Sequence, residues 1–190
     1  MTTNDAPILR IRDLSIAIKD APPLLKNVQF DLDRGEVVLL AGPSGCGKST
    51  LIKGLAGIID ATSSDWHVTG TAEFDGKPFD LAASRPTIGG MVFQNFALFD
   101  DLTAGQNVAI AFDHGGAKAA AYAEQVENLL RGIDPDAVVR DCSGGQQQRI
   151  AIARTLVADK PVLFMDEPNS GLDIDAARDL ARIIHDLSND

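Results

Sequence analysis

The residues best suited to chemistry stand together at Ala41-Gly42-Pro43-Ser44-Gly45-Cys46-Gly47-Lys48-Ser49-Thr50. Residues 42–49 match G-x-x-x-x-G-K-[ST], a glycine-rich turn that wraps phosphate oxygens. Gly42, Gly45 and Gly47 put no Cβ in the way of that wrapping. Lys48 would bring a positive charge to the β- and γ-phosphates of a nucleotide, and the Ser49 hydroxyl would reach Mg²⁺. Such a loop needs a helix N-terminus with N–H groups aimed at the anion. The apolar run Val37-Val38-Leu39-Leu40 predicts a buried strand leading in, and residues 50–59 predict a helix leading out.

A second constellation lies downstream. The apolar run 162–165 ends in Asp166 and Glu167. A carboxylate at the end of a strand beside a phosphate loop can hold Mg²⁺, usually through water. The next carboxylate can orient and deprotonate an attacking water, a general-base contribution of about 10²–10⁴-fold. Cys142-Ser143-Gly144-Gly145-Gln146-Gln147-Gln148-Arg149 precedes an expected helix at 150–157. Ser143 stands where an N-cap belongs. Two glycines just inside a helix cost roughly 1 kcal/mol each against Ala, which makes sense if the backbone must approach a ligand. That helix start is a second anion site. Two phosphate sites and one nucleotide per site imply that each site is assembled from two chains.

The elements that must position these residues follow from periodicity. Residues 8–18 are rich in β-branched side chains and alternate, with an irregularity near Asp13; they predict a strand that Pro22-Pro23 ends. Val28, Phe30 and Leu32 alternate with polar residues as in a half-buried strand. Residues 61–70 read as a loop, 71–74 as a short strand closed by the turn Asp75-Gly76, and 88–94 as a strand ending at Gln94. The pattern turns helical from Thr103, with a helix at 117–130, and residues 98–141 read as a small helical insert. Residues 174–187 predict an amphipathic helix with Ile174, Ala177, Leu180, Ala181, Ile184 and Leu187 on one side. The fold class is α/β: a parallel-sheet core with an N-terminal antiparallel β subdomain.

At 190 residues with 45% apolar content, one domain with a proper core is expected. A net charge of −10 argues against nucleic acid or an anionic membrane surface as the main partner. No apolar run approaches the roughly 18–20 residues that span a bilayer, and residues 1–20 lack a signal-peptide layout. Two cysteines far apart give no disulfide framework, so a cytoplasmic, reducing compartment is expected.

Taken in order and spacing, the phosphate loop, Gln94, Ser143-Gly144-Gly145-Gln146, Asp166-Glu167 and Ser170-Gly171-Leu172-Asp173 make the chain similar to the nucleotide-binding subunits of ATP-binding cassette transporters. The likeness runs from about residue 8 onward. It implies ATP and Mg²⁺ as ligands, ATP hydrolysis with Glu167, Lys48 and Gln94 as the catalytic set, and Ser49, Gln94 and Asp166 around the metal. It implies a head-to-tail dimer, homo- or heterodimeric, in which Ser143 to Gln146 of one subunit face the γ-phosphate held by Lys48 of the other and Asp173 lies across the seam. It further implies permease subunits on separate chains, docked on the insert and on residues 94–101, which would hold the protein on the inner face of the cell membrane. Phe93, Phe96, Leu98 and Phe99 are either insert core or part of that docking groove.

The sequence departs from the family pattern in three places. No aromatic stands at 16–21, where the family stacks one on adenine; stacking on a base contributes about 1–3 kcal/mol, so weaker or less base-selective binding is expected. Cys142 replaces the usual Leu. The family's switch histidine lies some way past Asp190, so the chain is expected to be a fragment or truncated product with poor turnover. His67, His114 and His185 are expected to be ordinary polar residues, and Trp66 to cover the small sheet. Two other readings stay open: a soluble cassette ATPase without a membrane partner, and a nucleotide-binding regulator that has lost hydrolysis.

Overall fold

The computed structural model describes residues 6–59, 65–81, 88–115 and 121–189. The loop residues 61–64, the first part of the helix expected at 117–130 and the His114 side chain lie outside the described set. The chain forms two compact units that divide between Ile88 and Gly89.

The first unit is built on β1 (Leu9–Ile18), flanked by β2 (Leu25–Leu32) and β3 (Trp66–Phe74), with β4 (Lys77–Phe79) outermost; every pairing is antiparallel. The buried residues of β1 are Leu9 and Ile11, then Leu14 and Ile16, so the inward face changes parity midway. A one-residue bulge corrects for this. Asp13 takes a left-handed φ of 50° and the register with β3 shifts between Arg12 and Ser15. Opposite it, Gly70 has φ 101°, and a Cβ there would lie 2.6 Å from the Asp13 carbonyl oxygen. The irregularity expected near Asp13 is therefore present, but the loop expected to run to residue 70 is not. Trp66 to Gly70 continue β3, because Ile18, Ala17 and Ile16 offer them a ladder. Trp66 and exposed His67 are strand residues.

After β2 the chain passes residues 37–40 and the glycine-rich turn into α1 (Lys48–Leu55), whose Leu51 and Leu55 are buried. The buried strand expected at Val37-Val38-Leu39-Leu40 is a correction. Among the described residues these four join no sheet, and Leu39 is 87% exposed. An apolar run records a preference for burial, whereas a strand requires a neighbour's N–H and C=O groups, and neither sheet supplies them here.

In the second unit, β5 (Gly89–Val92) and β6 (Val162–Met165) pair in parallel with Gly89 opposite Val162. A Cβ on Gly90 would lie 2.5 Å from Cγ2 of Thr155, so this strand must be glycine-rich to pass the helix Gly144–Val157. The unit's spine is α4 (Gly144–Val157), packed by α2 (Ala104–Gly115) and α3 (Ala123–Leu130). Ile150, Ala151, Ile152, Ala153 and Val157 are fully buried, the pattern of a helix covered on most sides. Arg149 ties α4 to α3 by donating to the carbonyls of Leu129 (3.2 Å) and Arg131 (3.0 Å). Residues 98–141 carry α2, α3, a 3-10 turn at Val139–Asp141 and the isolated bridge Thr103–Val138.

Two expectations shift. β5 ends at Val92, so Gln94 lies not at the end of a strand but in a turn two residues beyond it. In α5 (Ile174–Asn189), Ile174 is 72% exposed and Ala181 is exposed, while Leu180, Ile183, Ile184 and Leu187 meet the core. The apolar stripe is real, but it engages the core only from Leu180, at the end of the second turn. Among the described residues no helix is long and apolar enough to cross a membrane.

Gln148 is a buried polar residue in α4, 1% exposed, and neither of its amide atoms has a hydrogen-bond partner among the described residues. An unsatisfied buried polar group costs about 1–3 kcal/mol. Gln148→Met keeps length and unbranched shape without that cost. It is expected to raise the unfolding free energy by about 1 kcal/mol or more, read as a shift of the urea midpoint at constant slope; an unchanged or lower midpoint would show that the amide is satisfied.

Candidate functional site

In the first unit the glycines of the loop have separable reasons. Gly45 (φ 79°) has open space around its Cβ position, so its backbone conformation alone calls for glycine. Gly47 (φ 96°) is called for twice, because a Cβ would also lie 2.9 Å from Leu25 of β2. It is the N-cap of α1, and among the described residues no side chain caps that helix. The first N–H groups of a helix have no partner within it, so this start is suited to an anion. The Lys48 ammonium folds back over the loop, donating to the carbonyl of Gly42 at 2.8 Å and to that of Pro43 at 3.0 Å. The Cys46 N–H donates to the Pro43 carbonyl at 3.3 Å, and its Sγ lies 3.9 Å from Lys48 Nζ. Ser44 is exposed; Ser49 and Thr50 are half-buried in the first turn of α1. Backbone N–H groups, one ammonium and several hydroxyls on an exposed turn are a donor set that fits phosphate. Ile18, within the stretch 16–21 that lacks an aromatic, is exposed.

In the second unit β6 ends in the carboxylate pair. The Asp166 N–H donates to the Val92 carbonyl at 3.1 Å, extending the parallel ladder, and Asp166 is buried. Glu167 is exposed and takes a left-handed φ of 46°, which costs a non-glycine residue about 1–2 kcal/mol. Its carbonyl accepts from the Ser170 N–H at 2.9 Å, closing a tight turn. Gln94 reaches this turn: its Nε2 donates to Ser170 Oγ at 3.2 Å. The structure thus brings together Gln94, Asp166, Glu167 and Ser170. Among the described residues no group of three or more His, Cys, Asp or Glu could hold a metal alone. Mg²⁺ is commonly bound through one or two carboxylates with substrate phosphates and water, a role that fits Asp166.

The expected N-cap of α4 is present and is half of a reciprocal pair. Ser143 Oγ accepts from the Gln146 N–H at 3.3 Å, and Gln146 Oε1 accepts from the Ser143 N–H at 2.8 Å. Those two N–H groups are thereby engaged, which leaves the Gly144 and Gly145 N–H groups for an anion. The two glycines differ. A Cβ on Gly145 would meet Ala176 of α5 at 3.3 Å, so packing accounts for part of its cost; one on Gly144 has only Leu172 at 3.8 Å. The ligand argument therefore rests chiefly on Gly144. Asp173 accepts from the Ala176 N–H at 2.8 Å and caps α5. Cys142 is buried, and that burial, with the charge of Asp141 second, pushes its thiol pKa up. Of the aromatic group, Phe96 and Leu98 pack on the core, while Phe99 is 52% exposed.

Ser170, expected only as part of the Ser-Gly-Leu-Asp motif, is the partner of Gln94. Sequence reasoning passed over two further residues that shape this site. Asn107 is fully buried and bonds the backbone of Phe99 and Thr103. Arg154 bonds the backbone of Phe96 and Ala97. The available signal for Arg154 was a lone cation within Ile150-Ala151-Ile152-Ala153-Arg154-Thr155-Leu156-Val157.

A glycine-rich phosphate loop opening a helix, on a chain that combines an antiparallel β subdomain with parallel strands, defines an α/β protein of the phosphate-loop nucleotide-binding class. The family model described as ABC transporter matches residues 25–170, and the chain belongs to that family. The maltose/maltodextrin import ATP-binding protein MalK of Photorhabdus laumondii subsp. laumondii is 38% identical over 152 residues, covering 78% of this chain. The chain spans 40% of the length of that relative. The solved structure of cbiO1 from Clostridium perfringens, described as part of the ABC transporter complex cbiONQ, matches with a TM-score of 0.78 at 30% identity. That match covers 97% of this chain and 75% of the other.

Proposed function

We propose that the chain is an ATP-binding and ATP-hydrolysing domain, with residues 98–141 as its helical insert, that powers an ABC membrane transporter. The observation that carries this reading is the pair of anion-suited helix starts, the uncapped N-terminus of α1 and the Gly144 end of α4. Residues Gly42 to Thr50 hold the phosphates, with Lys48 on the β- and γ-oxygens. Mg²⁺, with Ser49, Asp166 and Gln94 around it, supplies charge neutralisation at those oxygens when bound. Glu167 takes the proton of the attacking water. Ser143, Gly144, Gly145 and Gln146 of a second cassette complete the site from its other side, with Asp173 at the seam. Permease subunits on separate chains dock on the insert and the exposed Phe99, placing the protein on the cytoplasmic face of a membrane. The name of the MalK relative supports import.

The test is sedimentation of the purified protein with Mg²⁺ and a non-hydrolysable ATP analogue. The expected result is a nucleotide-dependent shift from monomer to dimer that ADP does not produce. A protein that binds no ATP would sink the reading, and one that binds ATP only as a monomer would remove the shared site.

A further inference from the structure

The second unit contains a cation that none of the roles above uses. Arg154, half-buried in the last turn of α4, donates from Nη1 to the Ala97 carbonyl at 2.8 Å and from Nη2 to the Phe96 carbonyl at 3.3 Å. Among the described residues no carboxylate pairs with it. Burial lowers its pKa, so a guanidinium has been drawn out of water to meet two backbone oxygens. Those oxygens belong to consecutive left-handed residues, Phe96 (φ 62°) and Ala97 (φ 48°), the second and third after Gln94. Neither is glycine, so the turn must be held from outside. Asn107 holds its far side: Oδ1 accepts from the Phe99 N–H at 2.9 Å, and Nδ2 donates to the carbonyls of Phe99 and Thr103, both at 3.1 Å. On its near side Gln94 bonds Ser170 in the turn closed by Glu167.

We infer that Arg154 is a positioning residue for Gln94: its planar fork locks the left-handed turn at Phe96 and Ala97 onto α4, so that the Gln94 amide is presented at the Glu167–Ser170 turn. A guanidinium can bond both carbonyls at fixed geometry, whereas an ammonium offers one compact charge. The same helix begins at the Ser143 cap, about 16 Å away at 1.5 Å per residue, so one rigid element carries both the Ser-Gly-Gly-Gln start and the clamp on Gln94. The catalytic readout rests on the proposed role of Gln94 at Mg²⁺; the structural readout does not.

The experiment compares Arg154→Lys and Arg154→Ala in the purified protein, with and without Ala97→Gly, which takes a positive φ without strain. Loss of a fork bond that acts only through Gln94 should lower kcat by about tenfold or more while the Kd for ATP is kept. The Mg²⁺ concentration for half-maximal turnover should rise, and amide hydrogen exchange across residues 95–99 should speed up in the Lys variant at an unchanged melting temperature. Ala97→Gly should restore part of the kcat lost in Arg154→Ala. Wild-type kcat in Arg154→Lys, a parallel loss of ATP affinity and turnover, or a double variant no faster than Arg154→Ala would each overturn the inference. Should the unsubstituted protein show no turnover, the proposed function fails, and hydrogen exchange decides alone: unchanged protection of residues 95–99 in Arg154→Lys overturns the clamp.

Discussion

Glu167→Gln is expected to lower ATP turnover by about 10²–10⁴-fold, the contribution of a positioned general base, while ATP binding is retained. The substitution keeps side-chain length and hydrogen-bonding capacity and removes only the ability to take a proton. The local fold should tolerate it, because the turn at this position is closed by backbone: the Ser170 N–H donates to the Glu167 carbonyl, and the side chain itself is exposed. The left-handed φ of 46° is as costly for Gln as for Glu, so stability should hardly change. ATP that binds and is not consumed should accumulate in a dimer visible by sedimentation. Single-turnover hydrolysis measured beside ATP affinity checks this. Normal turnover in the variant would sink the assignment of Glu167 as base. Loss of binding and turnover together would mean that the side chain holds the nucleotide or the fold. Glu167→Gly sharpens the comparison, since it relieves the backbone strain and removes the base, and should be at least as stable yet equally inactive.

What could be read in the sequence is what local chemistry writes into it. The change of parity between Leu9–Ile11 and Leu14–Ile16 announces the bulge at Asp13, and Ser143 three residues before Gln146 announces the cap of α4. Family membership is legible in the order of several short motifs, each with a mechanism, and the matched span of residues 25–170 covers the phosphate loop and Ser143 to Gln146. What could not be read depends on partners distant in sequence. Residues 66–70 look like the end of a loop until Ile16 to Ile18 offer a ladder. Residues 37–40 look like a core strand until no ladder is found for them. The apolar run continues through Phe93 and so extends the expected strand to Gln94, whereas pairing with β6 stops at Val92. Arg154 and Asn107 stayed hidden for a related reason: both bond backbone carbonyls or amides, and a backbone partner leaves no complementary residue type to find.

Lys48→Ala should abolish ATP turnover and weaken ATP binding by well over tenfold, because an ammonium bonding a charged oxygen contributes about 1.5–3 kcal/mol and Lys48 is expected to bond more than one. The structure separates this effect from a loss of fold. Among the described residues the ammonium bonds the exposed carbonyls of Gly42 and Pro43 and lies 3.9 Å from Cys46 Sγ, all within its own loop. A typical net hydrogen bond contributes about 0.5–1.5 kcal/mol, and solvent can replace these two. Leu51 and Leu55, which seat α1, are untouched, and the positive φ of Gly45 and Gly47 is set by the backbone. The melting temperature without ATP should therefore move little, while the upward shift that ATP gives the unsubstituted protein should vanish. Lys48→Arg tests geometry in addition to charge. A compact ammonium reaches the loop carbonyls 2.8 and 3.0 Å away, whereas a planar fork on a longer stem must displace the rim of the loop to bring its donors to the same place. It should restore affinity only in part and turnover still less. Full turnover in Lys48→Arg would show that positive charge alone suffices, and an unchanged ATP-induced shift in Lys48→Ala would remove Lys48 from the phosphate site.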